Sequence, residues 1–251
     1  MKKNIIIILL SLTATISMAQ KADQMALNGN ELYRQGDFAG AIHSYESAIN
    51  QGRTSANLYY NLGNAYYRAN EIPHAILNYE RALRLKPSMR DAKENLALAQ
   101  NMTIDRIEKL PKLFIIRLYN NLSLHITPIA WRAIWLVLFA LLIATITGII
   151  IGRTLNIRRI CLSSAIIIAL FILLTTLFLI SSTNHFNNHS DAIVMQQSLT
   201  VKSSPENQSA DKLIIHEGTH VYINETLSEW CKITIDDGTT GWCKADAIER
   251  I

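Results

Sequence analysis

Two histidines four residues apart, with a glutamate beside the first, are the strongest hint of catalytic chemistry in the chain: His216-Glu217-Gly218-Thr219-His220. On a helix this spacing puts both imidazoles on one face, ready to hold zinc while the glutamate activates water. Here a glycine interrupts the string, and apolar strand residues flank it on both sides (Lys212-Leu-Ile-Ile and His220-Val-Tyr-Ile). The string reads as a turn between strands, where the rings do not share one helical face, and no third ligand is evident. Metal-dependent hydrolysis is therefore rejected. His185 and His189, in a polar stretch, read as spacer. There is no nucleophile–base pair, paired acid or phosphate-cradling glycine loop. The sequence predicts no enzyme, no cofactor and no metal.

Three cysteines, Cys161, Cys231 and Cys243, are too few for a disulfide-dense scaffold or a four-thiolate zinc site. Cys231 and Cys243 lie on the arms of a hairpin turning at Asp236-Asp237-Gly238, each six residues from Asp237. A three-residue loop sets them opposite one another, open to a disulfide in an oxidising compartment. A two-residue turn slips the register and parts them. Both registers fit the residues. Cys161, within an apolar run, reads as a small hydrophobe.

Charge is unevenly spread. Residues 20–130 carry 13 Lys+Arg against 10 Asp+Glu; residues 131–181 carry four arginines and no acid; residues 182–251 carry 5 basic and 10 acidic groups. The middle offers two apolar stretches, 128–152 and 160–181, each long enough to cross a hydrocarbon core of about 30 Å. Thr127-Pro128 supplies an N-cap and first-turn proline, and Trp131 and Trp135 suit headgroup depth. Arg153, Arg158 and Arg159 mark 153–159 as a cytoplasmic loop, making a helical hairpin with both ends outside. Ala140, Ala144, Gly148 and Gly152 line one face, with Ala165 and Ala169 as a matching surface for packing within the hairpin. Residues 1–19 have the basic start (Lys2, Lys3), apolar run and small-residue exit (Ser17-Met18-Ala19) of a signal peptide. Both soluble parts are then expected in the periplasm. An amphipathic connector spans 109–127, and a polar linker 182–191.

Self-comparison finds a repeat at 34 residues: Ala22, Gly29, Asn30, Tyr33, Arg34, Ala41, Ile42, Tyr45, Glu46 and Ala48 recur at 56, 63, 64, 67, 68, 75, 76, 79, 80 and 82. Small residues fall where two helices of a unit press together, and Gly36-Asp37 and Asn70-Glu71 mark turns. The stretch Leu62-Gly-Asn-Ala-Tyr-Tyr, His74-Ala-Ile, Tyr79-Glu-Arg-Ala-Leu and Pro87 resembles the tetratricopeptide repeat family, giving repeats at 22–55 and 56–89 and a capping helix at 90–108 within a domain spanning 20–108. The resemblance implies a concave groove lined by first helices. It carries Asn30, Tyr33, Arg34, Asn64, Tyr67, Arg68 and Asp91 to that surface as ligand-binding candidates. Such side chains suit an extended peptide with some negative charge. Ala26 and Glu94 replace the basic residues with which some members grip a terminal carboxylate, which speaks against that mode.

From 192 to 251 the chain alternates in six short runs with turn residues between them, the pattern of a small barrel. Leu199-Thr-Val-Lys-Ser-Ser-Pro205, Glu217-Gly-Thr-His-Val221, Trp230-Cys-Lys-Ile and Asp237-Gly-Thr-Thr-Gly-Trp242 resemble a bacterial SH3-type domain. The resemblance implies recognition by exposed aromatics, with Tyr222, Trp230 and Trp242 as candidates and core packing for at least one tryptophan. The expected fold is multidomain: all-α tetratricopeptide repeats, a two-helix transmembrane hairpin and an all-β SH3-like small barrel. That order resembles the BatE family of aerotolerance operon proteins. The resemblance implies a membrane-anchored scaffold with protein or peptide partners, among them other membrane proteins of the operon. Peptidoglycan binding through the barrel is the alternative. Nucleic acid is disfavoured by location and by the acidic tail.

Overall fold

Helix boundaries in the N-terminal half follow from capping chemistry. The computed structural model describes residues 20–107, 114, 118–119, 126–187 and 190–251. The expected signal peptide and most of the connector fall outside them. Helix α1 (20–35) ends at Gly36, whose φ of +84° is readily reached by glycine. Asp37 then opens α2 (Phe38–Asn50), its carboxylate accepting the Gly40 N–H at 2.9 Å. Ser55 does the same for α3 (Ala56–Arg68) through the Leu58 N–H at 3.2 Å. Pro73 occupies the first turn of α4 (Ile72–Leu85), where a missing N–H costs nothing. The last helix, α5, runs over Arg90–Gln100, shorter than the expected 90–108. Its end is held by Thr103, whose hydroxyl donates to the Gln100 carbonyl at 2.8 Å.

Each helix pair closes on one contact, made twice. A Cβ at Gly29 would sit 2.6 Å from the Tyr45 ring, and one at Gly63 would sit 2.7 Å from the Tyr79 ring. Both tyrosines are almost wholly buried, alongside Ala41, Ala75, Ile76 and Leu77. The 34-residue spacing of glycine and tyrosine is thus a spacing of knobs and the notches that admit them.

The C-terminal half is an antiparallel seven-stranded sheet: β1 (Asp191–Val194), β2 (Ser198–Lys202), β3 (Asp211–His216), β4 (His220–Leu227), β5 (Trp230–Ile235), β6 (Thr240–Lys244) and β7 (Ile248–Arg250). The order is β3-β2-β6-β5-β4-β1-β7. Strand β7 was not among the six expected runs; three residues after a single 3-10 turn carry too little alternation to announce a strand. The β5–β6 loop is Asp236–Gly238, closed by the Ile235 N–H on the Thr239 carbonyl at 2.9 Å, with Gly238 at φ +89°.

Repeats and sheet form one compact unit, Met1–Leu110 with His189–Ile251, rather than two modules strung along the chain. Strand β1 explains why. Its alternate residues Ala192 and Val194 enter the core of the sheet, while Ile193 enters the core of the helices, and all three are fully buried. Burying a side chain of that size contributes about 1.5–3 kcal/mol. Arg81 on α4 adds bonds to Glu249 at 3.0 Å and to the Arg250 carbonyl at 2.8 Å.

The second unit, Pro111–Asn188, holds α6 (Pro128–Ile151) and α7 (Leu155–Asn187). Both are long and apolar enough to cross a membrane. Thr127 caps α6, with Pro128 in its first turn. Helix α7 starts earlier and ends later than the expected 160–181, so Arg158 and Arg159 lie in its first turns and most of the expected linker is helical. The seam is set by large groups: Trp131 packs on Phe178 at 5.0 Å, and the Trp135 indole donates to Thr176 at 3.1 Å. A Cβ at Gly148 would meet the Cys161 sulfur at 2.8 Å. Ala140, Ala144 and Ala169 are exposed within this unit, so the expected small-residue face is only partly the seam. Once Trp131 and Trp135 occupy it, the helical period carries Leu138, Leu142 and Thr145 inward and turns those alanines away.

Gly63→Ala tests the notch. Alanine favours helix by about 1 kcal/mol over glycine, but overpacking against Tyr79 costs about 1–3 kcal/mol. A lowered melting temperature is expected by circular dichroism; an increase contradicts the contact.

Candidate functional site

The tyrosine that fills each glycine notch also reaches the next residue along. Tyr45 donates its hydroxyl to Asn30 Oδ1 at 2.8 Å, and Tyr79 donates to Asn64 Oδ1 at the same distance. Each asparagine oxygen takes a second donor from the following first helix: Asn61 Nδ2 to Asn30 at 3.0 Å, and Asn95 Nδ2 to Asn64 at 2.8 Å. With both oxygens saturated, the amide planes of Asn30 and Asn64 are held, and each Nδ2 remains to donate outward. Burial raises the Tyr45 phenol to about 12, with Tyr33 nearby acting in the same direction, and burial raises Tyr79 further still. Both hydroxyls therefore stay protonated as donors.

These amides border two adjoining clefts. One, of about 200 Å³, lies among Asn30, Tyr33, Arg34, Tyr45, Asn61 and Asn64. The other, of about 280 Å³, lies among Tyr33, Tyr60, Asn64, Tyr67, Arg68, Tyr79, Asn95 and Leu98. Six of the seven groove candidates from the sequence thus line this surface. Asp91 is exposed on the first turn of α5 and borders neither cleft. Arg34 pairs with Glu31 at 2.5 Å, and Arg68 lies over the Phe38 ring at 4.7 Å. Each guanidinium thus has a neighbour within the repeats and stands beside the amides and phenols of the groove. Asn61 and Asn95 were missed as groove residues; their own 34-residue spacing was the available signal.

The three aromatic candidates of the sheet do not make one exposed platform. Tyr222 is half-buried, edge-on to His220 at 4.7 Å, with burial and the neighbouring Asp236, Asp191 and Glu80 raising its phenol well above the ordinary value. The proximity of Glu80, on α4, puts it toward the repeats rather than on a free face. Trp230 is 7% exposed, beneath Lys244 at 4.6 Å. Trp242 is half-buried, opposite Lys232 on the paired strand. Trp230 is therefore the buried tryptophan, packed in the sheet by strand pairing, while Tyr222 and Trp242 keep part of their surface.

Cys231 and Cys243 are direct register partners, the outcome of the three-residue loop. Both are free, buried thiols here, so the disulfide considered from the sequence is not formed in this structure. Burial, then Cys231, then Asp246 push the Cys243 thiol up to about 12.

The His-Glu-Gly-Thr-His string runs from the end of β3 through a turn, with Gly218 at φ +82°, into β4. Its strongest partner comes from far along the chain. Asp105 accepts the His216 backbone N–H at 2.6 Å and the Thr219 hydroxyl at 2.7 Å, and meets His216 Nδ1 at 2.8 Å. This clasp ties the strand turn to the segment after α5, and sequence reading did not find it, because a lone aspartate after a helix carries no pattern. Among the described residues no group of three His, Cys, Asp or Glu is placed to hold a metal. Burial works to raise the Asp105 carboxyl, but the bonds from His216 and Thr219 outweigh it and hold it below the usual range. A carboxyl lowered on folding stabilises above its unfolded value of about 4 and loses that contribution as pH falls through its folded value. Asp105→Asn is expected to cost about 1–3 kcal/mol at neutral pH. Its melting temperature should converge with that of the parent protein as pH falls through the lowered folded-state value of the carboxyl, whereas parallel curves contradict the clasp.

Comparison with known families agrees with the repeat geometry. Residues 29–70 match a family model described as TPR repeat, and residues 56–89 match one described as tetratricopeptide repeat. No curated protein matches the chain. The paired helices across residues 29–89 are tetratricopeptide repeats.

Proposed function

We propose that this protein is a non-catalytic, membrane-anchored scaffold that binds protein or peptide partners on the periplasmic side, within an aerotolerance or envelope-stress assembly. Tetratricopeptide repeats are protein-interaction elements, and the two long apolar helices supply an anchor. The observation that carries the reading is the repeated Tyr–Asn–Asn hydrogen-bond set along an open groove. Fixed amides offer both donors and acceptors at a regular interval, which matches the backbone of an extended segment.

Sidedness has two supports. Repeats and sheet share a core through Ile193, which supports a chain that leaves at 107 and returns at 190 on one side of a membrane. Two crossings satisfy that. The arginines at 153, 158 and 159 favour a cytoplasmic tip, and so an exterior soluble unit. The second reading makes the C-terminal sheet an SH3-type domain bound to peptidoglycan. It is favoured by the partly exposed Trp242 flanked by Lys232 on the paired strand.

A photo-crosslinking residue at Arg34 tests the groove in intact membranes. Discrete adducts are expected, reduced about thirtyfold by combined Asn30→Ala and Asn64→Ala, since each lost bond is worth about 1 kcal/mol. Adducts that persist unchanged in the double variant sink the groove reading. A reporter active solely in the cytosol, fused after Ile251, is expected to stay silent; activity there overturns the exterior placement.

A further inference from the structure

The larger cleft has a composition that narrows the kind of segment it takes. Tyr33, Tyr60 and Tyr67 present rings to it, and Leu98 on α5 adds an apolar wall that is 55% exposed. Tyr60 and Tyr79 rings stand 6.1 Å apart at 44°, so an aromatic pair borders the cleft. An exposed leucine beside three phenols gains from an apolar occupant.

The polar groups around it lean toward donation. Asn64 Oδ1 already accepts from Tyr79 and Asn95, so Nδ2 is what Asn64 has left to offer. Tyr60 accepts from Asn95 Nδ2 at 3.3 Å and so keeps its own proton for a ligand. Arg68 at the rim is stacked on Phe38 and keeps its positive charge. A segment that suits this cleft has ring-shaped apolar side chains, carbonyls to spare and few N–H groups to satisfy.

Resting on the groove reading above, the geometry points to a proline-bearing segment in extended polyproline II conformation as the ligand, with a proline ring against Tyr33, Tyr60, Tyr67 and Leu98. Such a segment has unpaired carbonyls throughout, lacks an N–H at each proline, and loses little conformational entropy on binding. Tyrosine hydroxyls and Asn64 Nδ2 donate to its carbonyls, and the apolar ring covers Leu98.

The test uses the full chain in detergent micelles and an array of nonapeptide mixtures, each with one residue type held at one position. Proline-fixed mixtures are expected to bind about tenfold more tightly than their alanine counterparts, and Leu98→Ser, at an exposed site, should erase most of that preference. Preference for acidic or other non-proline residues, still lost in Asn64→Ala, overturns this inference while leaving the groove reading standing. Proline preference that survives Leu98→Ser unchanged also overturns it, because the ring then sits elsewhere. Binding of no mixture, or binding indifferent to Asn64→Ala, overturns both.

Discussion

A ring that fits because a side chain is missing organises the repeat half of this protein. Tyr45 and Tyr79 lie where a Cβ on Gly29 or Gly63 would be, which lets two helices approach closely enough for each phenol to span the gap. Its hydroxyl then lands on the amide one residue further along. Packing and polar chemistry are therefore one constraint. The buried ring sets the distance between helices, and that distance sets which way the groove amides face. Because the unit recurs at 34 residues, the surface it makes is periodic as well.

The same economy joins the repeats to the sheet. A strand buried on one face shows alternating polarity, but β1 is buried on both. Ala192 and Val194 complete one core, and Ile193 completes another. Arg81 and the Asp105 clasp add directional bonds around that apolar contact. Barrel-like sheet and helical stack consequently behave as one body despite the long intervening segment. The contact uses α4, a second helix of its pair, and leaves the clefts along α1, α3 and α5 open.

Within the second unit, large side chains decide the seam. Indole rings at Trp131 and Trp135 find Phe178 and Thr176, and the period of the helix then dictates which other residues face inward. Glycine matters at Gly148, where a Cβ would meet the Cys161 sulfur. Ala140 and Ala144 share that glycine's spacing without sharing its contact.

Local pattern alone determined a good deal. The 34-residue period, the turn at Asp236–Gly238, the two apolar stretches and six of the strands are each encoded by residues near one another, whose periodicity reflects the element they form. Asn30, Tyr33, Arg34, Asn64, Tyr67 and Arg68 were legible as groove residues because the repeat copies them. What fills the opposing face is not local, and there the tertiary structure decided. It engaged Arg68 with Phe38, covered Trp230 with Lys244, and turned Tyr222 toward the repeats. It brought Asp105 to a strand turn more than a hundred residues away. Neither half of such a pair carries a signal by itself, since each is an ordinary polar side chain until folding supplies its partner.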